Sequence, residues 1–314
     1  MNHKLNILVS GSIAIDRIMD FPGYFRDHIL PDKIHNLNVA FNITELRENF
    51  GGCAGNIAYN LALLSERPFV LATVGDDFGA YKKRLKGLKI DVSQVRVVEA
   101  KKCASAYIIT DKSDNQITGF NMGAMATALG SFSDKLLKNS LAIVSPGNIL
   151  DMENYARLYT KRRVKYIFDP GQALNALSGR VVKMASIGAD IVIGNDYEIE
   201  LIKKRAGWTT DELIGKVRTL IVTKGEHGSE ILTSGKRLKI KAARVKKLAD
   251  PTGAGDAYRA GLIKGLVLGW ELEKCAKLGS VVASYAVEKY GTQNHNFNWK
   301  DLEKRYKLTY KEKI

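Results

Sequence analysis

Short apolar runs alternating with helix-like stretches constrain this chain more than any other feature. Residues 5–9, 69–74, 141–144, 166–168, 191–193 and 220–222 each have the length and apolar density of a buried strand. Helix-like segments separate most of them, over residues 53–65, 154–163 and 197–205, and the C-terminal half adds apolar residues at helical spacing over 255–269 and 272–289. Strands alternating with helices predict a mostly parallel sheet covered on both faces. One region breaks the rhythm. Residues 104–110 and 116–120 are strand-like runs joined by Asp111-Lys112-Ser113-Asp114-Asn115, a link so short and turn-rich that it predicts a local hairpin. With the polar and aromatic stretch 20–50 it predicts a small flap over one end of the main sheet. No internal repeat or low-complexity linker divides the chain, so 314 residues are expected to form one domain over 1–314, with lid segments roughly at 12–50 and 103–122.

Composition narrows the class. A hydrophobic content of 45% with 26% charged residues suits a soluble globular protein. The formal net charge of +15 favours anionic partners. Its Lys and Arg residues are nevertheless scattered, with no basic-aromatic interleaving of the kind that tracks a nucleic-acid strand. No nucleic-acid partner is expected. Cys53, Cys103 and Cys275 are far apart and form no metal-spaced group with the five His residues. Reduced thiols in the cytoplasm are the simplest reading. The apolar start is interrupted by Ser10-Gly11-Ser12 and Asp16-Arg17 and reads as a strand, not a leader. No run approaches the ~20 apolar residues that span a bilayer, so no membrane partner is expected.

The densest chemical signal is Asp250-Pro251-Thr252-Gly253-Ala254-Gly255-Asp256, leading into a helix-like stretch. Small residues let backbone approach a ligand closely, and a helix start there would aim unpaired N–H groups at an anion. Asp256 in the first turn would repel phosphate but is placed to take a proton from an incoming hydroxyl. As a plain dipole or cap partner it would need no such role. A Walker loop is absent, because Gly235-Lys236-Arg237 lacks the earlier glycine and the following Ser or Thr.

Gly51-Gly52-Cys53-Ala54-Gly55-Asn56 is a second candidate, a glycine-led helix entry whose Asn offers donor and acceptor to a polyol. Asp16, just past the first strand, is either a surface residue or an acceptor for sugar hydroxyls. Asn195 and Glu198 share a helix face suited to hydrated Mg²⁺, or form an N-cap pair. Thr223, Gly225 and Gly228 follow another strand and either line phosphates or make a turn. Asp16, Asn195 and Thr223 all fall just past strand carboxyl ends, the edge where open α/β sheets bind ligands.

In this order the motifs resemble the ribokinase-like family of carbohydrate and nucleoside kinases, and within it the bacterial adenosine kinases. The indicative residues are Gly11-Ser12-Ile13-Ala14, Asp16, Phe21-Pro22-Gly23, Leu30-Pro31, the Gly51-Gly52 and Asn56 pattern, Gln116-Ile117, Phe120, Asn195-Asp196-Tyr197-Glu198, residues 250–256 and Gly291-Thr292-Gln293. The resemblance implies a three-layer α/β sandwich with a small β lid, and transfer of phosphoryl from ATP to a ribonucleoside 5′-hydroxyl, with adenosine expected first. It implies Asp256 as base and the N–H groups of Gly253, Ala254 and Gly255 as an anion hole. Asp16, Gly51, Gly52 and Asn56 would hold the ribose, and Ser12, Gln172 and Phe120 the purine. Thr223, Gly225, Gly228, Ala283, Val287 and Asn294 would meet ATP. Glu198 and Asn195 would orient Mg²⁺ through water, and Asp250 and Thr252 match a K⁺ loop in some relatives. Lid-mediated homodimers occur in the family. One departure stands out: where the bacterial enzymes place a second aromatic on the lid hairpin, this chain has Ala106, with Tyr107 beside it.

Overall fold

The computed structural model describes residues 5–29, 38–113 and 115–314. The alternation of apolar runs resolves into a sheet of eight strands: β1 (Asn6–Ser10), β4 (Phe69–Leu71), β9 (Ser140–Val144), β10 (Lys165–Phe168), β11 (Ile191–Asn195), β12 (Leu220–Thr223), β13 (Ser229–Thr233) and β14 (Lys236–Ile240). Their order is β14-β13-β12-β11-β10-β9-β1-β4. From β4 to β12 every pairing is parallel, and β13 and β14 close one edge as an antiparallel hairpin.

Strand periodicity of two sends alternate residues to opposite faces, which gives the sheet two cores. Ile7, Val9, Ile143, Ile167, Ile193 and Ile221 pack against α1 (Cys53–Leu63), α7 (Ala254–Val267), α8 (Leu272–Ala286) and α9 (Trp299–Tyr310). Leu8, Val144, Phe168, Val192 and Val222 pack against α3 (Ile149–Arg162), α4 (Gly179–Gly188), α5 (Asp196–Ala206) and α6 (Thr210–Lys216). The result is three layers. Helix α2 (Gly79–Gly87) buries Tyr81 and Leu85 in the α1 side.

A second sheet of four strands runs in the order β3-β2-β7-β8, with β2 (Ala14–Asp20), β3 (Glu45–Gly51), β7 (Ala104–Thr110) and β8 (Gln116–Asn121). The hairpin expected over 104–120 is β7–β8; β3 comes from the stretch 20–50, whereas β2 precedes it and ends at Asp20. Leu30 and Pro31 lie outside the described residues.

One expectation needs correction. Residues 69–74, read as one strand, divide into β4 of the main sheet and β5 (Thr73–Gly75), which leaves to pair with β6 (Arg96–Val98). All of these residues are apolar or small and buried, or nearly so, so composition gives no sign of the switch. The β13–β14 hairpin, around Ser234-Gly235 with Gly235 at φ +119°, extends the sheet where only a failed phosphate motif was considered.

Candidate active site

The site lies at the carboxyl edge of the parallel strands, where the four-stranded sheet meets α1 and α7. Helix α7 begins at Gly253, whose φ of +79° is a left-handed conformation suited to glycine. Helices α3, α4, α5, α6 and α9 each carry a side-chain N-cap, whereas α7, like α1, α2 and α8, has none. Ala254 N–H reaches Pro251 O at 3.3 Å. Among the described residues the N–H groups of Gly253, Gly255 and Asp256 have no hydrogen-bond acceptor. A helix tip left open in this way is electropositive and can receive an anion.

Asp256 sits half-buried in that first turn. Its Oδ2 accepts a 2.9 Å hydrogen bond from Asn56 Nδ2, so the two glycine motifs, 200 residues apart in sequence, meet directly. Burial raises the Asp256 pKa to about 7, with Asp169 and Asp16 adding to the rise and the Asn56 hydrogen bond and Arg259 opposing it. A carboxylate near neutrality is matched to proton abstraction at physiological pH.

Asp16 reaches the same place from β2. A Cβ on Gly51 would lie 2.2 Å from Asp16 Oδ2, and one on Gly52, whose φ is +85°, would lie 2.6 Å from Ser12 O. Gly52 is therefore required by its φ and by the Ser12 and Ala14 backbone, and a side chain at 51 would displace the Asp16 carboxylate. Burial, then the Asp250 charge, lifts the Asp16 pKa to about 6.

Register defines the face that Asp16 shares. Asn49, Asp16, Ala106 and Phe120 are directly paired across β3-β2-β7-β8 and so project together. Phe120 is 52% exposed, open for stacking. Tyr107, one residue from Ala106, belongs to the opposite face, where Arg17 donates to Ser105 Oγ, Glu48 and Tyr107 Oη. A single ring therefore stands on the Asp16 face of this row. Gln172 is exposed on the 3₁₀ turn Gly171–Asn175 past β10. Ser12 is buried, and its Oγ accepts from Cys53 N–H at the start of α1.

The nucleotide-side candidates are placed as follows. Thr223 pairs with Asn195 in the β11–β12 register, and Gly225 and Gly228 turn with positive φ just beyond. Ala283 lies on the last turn of α8, and the Val287 carbonyl accepts from Ala249 and Asp250 N–H. Asn294 is tied to Tyr290 O and to Asn49 Oδ1. Asn195 and Glu198 form a reciprocal capping box: Asn195 Oδ1 accepts from Glu198 N–H and Glu198 Oε2 from Asn195 N–H, both at 2.8 Å. The cap alternative is thus built, and it leaves Glu198 Oε1 open. Asp250 accepts from Thr252 N–H (2.9 Å) and Gly291 N–H (3.0 Å), so a cation at Asp250 and Thr252 would share an engaged carboxylate. Among the described residues no three His, Cys, Asp or Glu side chains form a metal cage.

Sequence reasoning did not single out the ion pair beneath the site. Arg259, one helical turn after Asp256, donates to both oxygens of Asp169 at 2.5 and 2.6 Å with both side chains buried. Its only sequence signal was an Arg on the inward face of an apolar helix.

A family model described as pfkB family carbohydrate kinase matches residues 13–299. The chain belongs to that family. Among pfkB relatives, the nucleoside kinase of Methanocaldococcus jannaschii is 32% identical over 277 residues, covering 87% of this chain and 91% of that one. The solved nucleoside kinase of Burkholderia thailandensis in complex with inosine is 35% identical with a TM-score of 0.86, covering 98% of this chain and 99% of that one. The same enzyme in complex with ADP-inosine is 36% identical with a TM-score of 0.84, covering 98% and 97%. The three-layer pfkB fold expected from sequence is therefore present, with its small antiparallel-edged sheet. Among the described residues no helix is long and apolar enough to cross a membrane.

Proposed function

We propose that this pfkB protein transfers the γ-phosphoryl group of ATP to the 5′-hydroxyl of a purine ribonucleoside. The observation that carries the reading is the junction of Asp256 and Asn56 at the uncapped tip of α7. A hydroxyl placed against Asp256 faces a helix end able to hold the transferring phosphate, and similarity to nucleoside kinases across the whole chain supports a nucleoside as its carrier.

In this reading Asp256 removes the 5′-hydroxyl proton as the phosphoryl moves, and the open N–H groups of Gly253 and Gly255, with that of Ala254 shared with Pro251 O, receive its charge. Asp16 holds the ribose 2′- and 3′-hydroxyls, beside Gly51, Gly52 and Asn56. Phe120 offers the purine one stacking face, with Ser12 and Gln172 around it. Thr223, Gly225, Gly228, Ala283, Val287 and Asn294 flank the nucleotide. The open oxygen of Glu198, with Asn195 beside it, would hold a hydrated Mg²⁺, an ion that keeps several waters and would supply charge neutralisation to the triphosphate. The lid role of the β3-β2-β7-β8 sheet belongs to the same proposal.

Selectivity follows from the single ring. One aromatic contact contributes about 0.5–1.5 kcal/mol beyond its buried area, too little to separate purines sharply. In an ADP-release assay over nucleosides and furanose sugars, adenosine and inosine should fall within about tenfold of each other in kcat/KM, and free ribose should trail both by more than about a hundredfold. A preference for the free sugar would overturn the reading.

Asp16→Ala should weaken nucleoside binding by ~1.5–3 kcal/mol, the worth of a charged hydrogen-bond partner, measured by calorimetry. The same change should raise Tm at pH 8. The sign follows because a carboxyl lifted to about 6 stabilises the fold below its unfolded pKa and loses that contribution as pH rises through 6. The Tm gain should shrink by pH 4.5.

A further inference from the structure

A directed hydrogen-bond chain runs from the lid sheet to the base. Tyr81 Oη donates to the carbonyl of Gly51, the last residue of β3, at 2.9 Å. Having given its proton, that oxygen accepts from Gln293 Nε2, which also donates to Asn56 Oδ1 at 3.0 Å. Asn56 Nδ2 then donates to Asp256. Tyr81, Gln293 and Asn56 are 1%, 2% and 4% exposed, so water cannot substitute for a missing member. A Cβ on Gly55 would lie 2.0 Å from Tyr81 Oη and 3.3 Å from Gln293 Nε2, so the helix is cleared at this point to admit the chain. The neighbours of Gln293 hold it in place: Thr292 Oγ1 donates to Phe50 O, and Arg84 donates to the Gln293 carbonyl.

We propose that Gln293 is a positioning residue that fixes the orientation of the Asn56 amide and thereby keeps Asp256 ionised for proton abstraction. The inference rests on the kinase reading for its use and on the geometry for its existence. An amide has one donor end and one acceptor end. With Gln293 Nε2 against Asn56 Oδ1, the Asn56 donor must face Asp256, which stabilises the carboxylate. The opposite orientation would turn Asn56 Oδ1 toward Asp256, compatible only with a protonated acid. It would require Gln293 Oε1 to face Tyr81 and the Tyr81 proton to leave Gly51 O. The Gly51 carbonyl thus selects the orientation in which the base is charged. The other groups facing Asp256 are Arg259 on α7, which favours the charge, and Asp169 after β10 and Asp16 on β2, which oppose it. Cys53 on α1 and Tyr81 on α2 also face it, and burial keeps both protonated.

The test is the pH profile of kcat/KM for the nucleoside at saturating ATP, which reports the free enzyme's base. Wild type should show an acid limb near pH 7, following the Asp256 value. Gln293→Met should move the limb up by about one pH unit, a loss of roughly tenfold on the acid side, with the profiles converging above pH 9 and the KM for ATP within about twofold. Gln293→Glu, an acceptor of the same shape, should move it further. A parallel loss at all pH values with the limb in place would mean Gln293 is merely structural and overturns the proposal, as would an unchanged profile. A second readout needs no turnover: ¹³C NMR titration of the Asp256 carboxyl in ligand-free protein, its signal identified with Asp256→Asn, should show the same upward move. That arm stands or falls whether or not a nucleoside is the substrate. Should neither Gln293 variant fold, Tyr81→Phe, which frees the Gln293 amide to rotate, should move both readouts in the same direction by a smaller amount, and no movement there overturns the proposal.

Discussion

Asp256→Asn is expected to lower kcat by about 10²–10⁴, the usual contribution of a positioned general base, while nucleoside affinity stays within a few-fold. The separation is expected because an Asn at 256 keeps an oxygen to accept from Asn56 Nδ2, as Asp256 Oδ2 does at 2.9 Å, so the α1–α7 junction survives. What is lost is basicity. The uncapped tip of α7 remains, so residual turnover from positioning and charge stabilisation should persist. Single-turnover kinetics beside equilibrium nucleoside binding would separate the two effects. A variant with near-normal kcat would remove Asp256 from the mechanism and with it the proposed chemistry.

Arg259→Met should destabilise the protein by about 3–5 kcal/mol, the cost of leaving a buried charge without its partner. Asp169 is 2% exposed, and both its oxygens accept from Arg259. Burial already pushes the Asp169 carboxyl up, and Arg259 opposes that rise. Without Arg259 the carboxyl pKa climbs further. A group with a raised folded pKa loses its stabilising contribution as pH increases, so the deficit in urea unfolding should be larger at pH 8 than at pH 5. Activity should fall as well, since Arg259 also favours the charged form of Asp256. Pairing Arg259→Met with Asp169→Leu should recover much of the stability, as buried ion pairs replaced by apolar groups often do, but not the activity. If Arg259→Met alone were as stable as wild type, the pair would be irrelevant to the fold.

Much of the architecture was legible along the chain because each element carries its own period. The cores of β1, β9, β10, β11 and β12 are continuously apolar over three or more residues, with polar residues only at their ends, as suits strands covered on both faces. The hairpin β7–β8 announced itself through a polar link too short for a crossover. The division of residues 69–74 between β4 and β5 was not legible, because both halves are buried and apolar whichever sheet they join. The motif glycines could be read as sites of close approach. What approaches them could not be: Asp16 at Gly51, Ser12 at Gly52 and Tyr81 at Gly55 arrive from other elements.

Residue identity by itself determined the chemistry available here: a carboxylate at the start of a glycine-led helix, a second glycine-led helix carrying Asn56, and strand ends to display them. Tertiary structure alone decided which alternatives were taken. Asn195 and Glu198 became a capping box, Tyr107 turned from the Asp16 face while Phe120 remained on it, and Gln293 came to bridge Asn56 and Tyr81 from more than 200 residues away in sequence. The reason is physical. Local sequence sets propensity and period over a few residues, whereas a side chain's hydrogen-bond partners and its desolvation depend on what the rest of the chain packs against it.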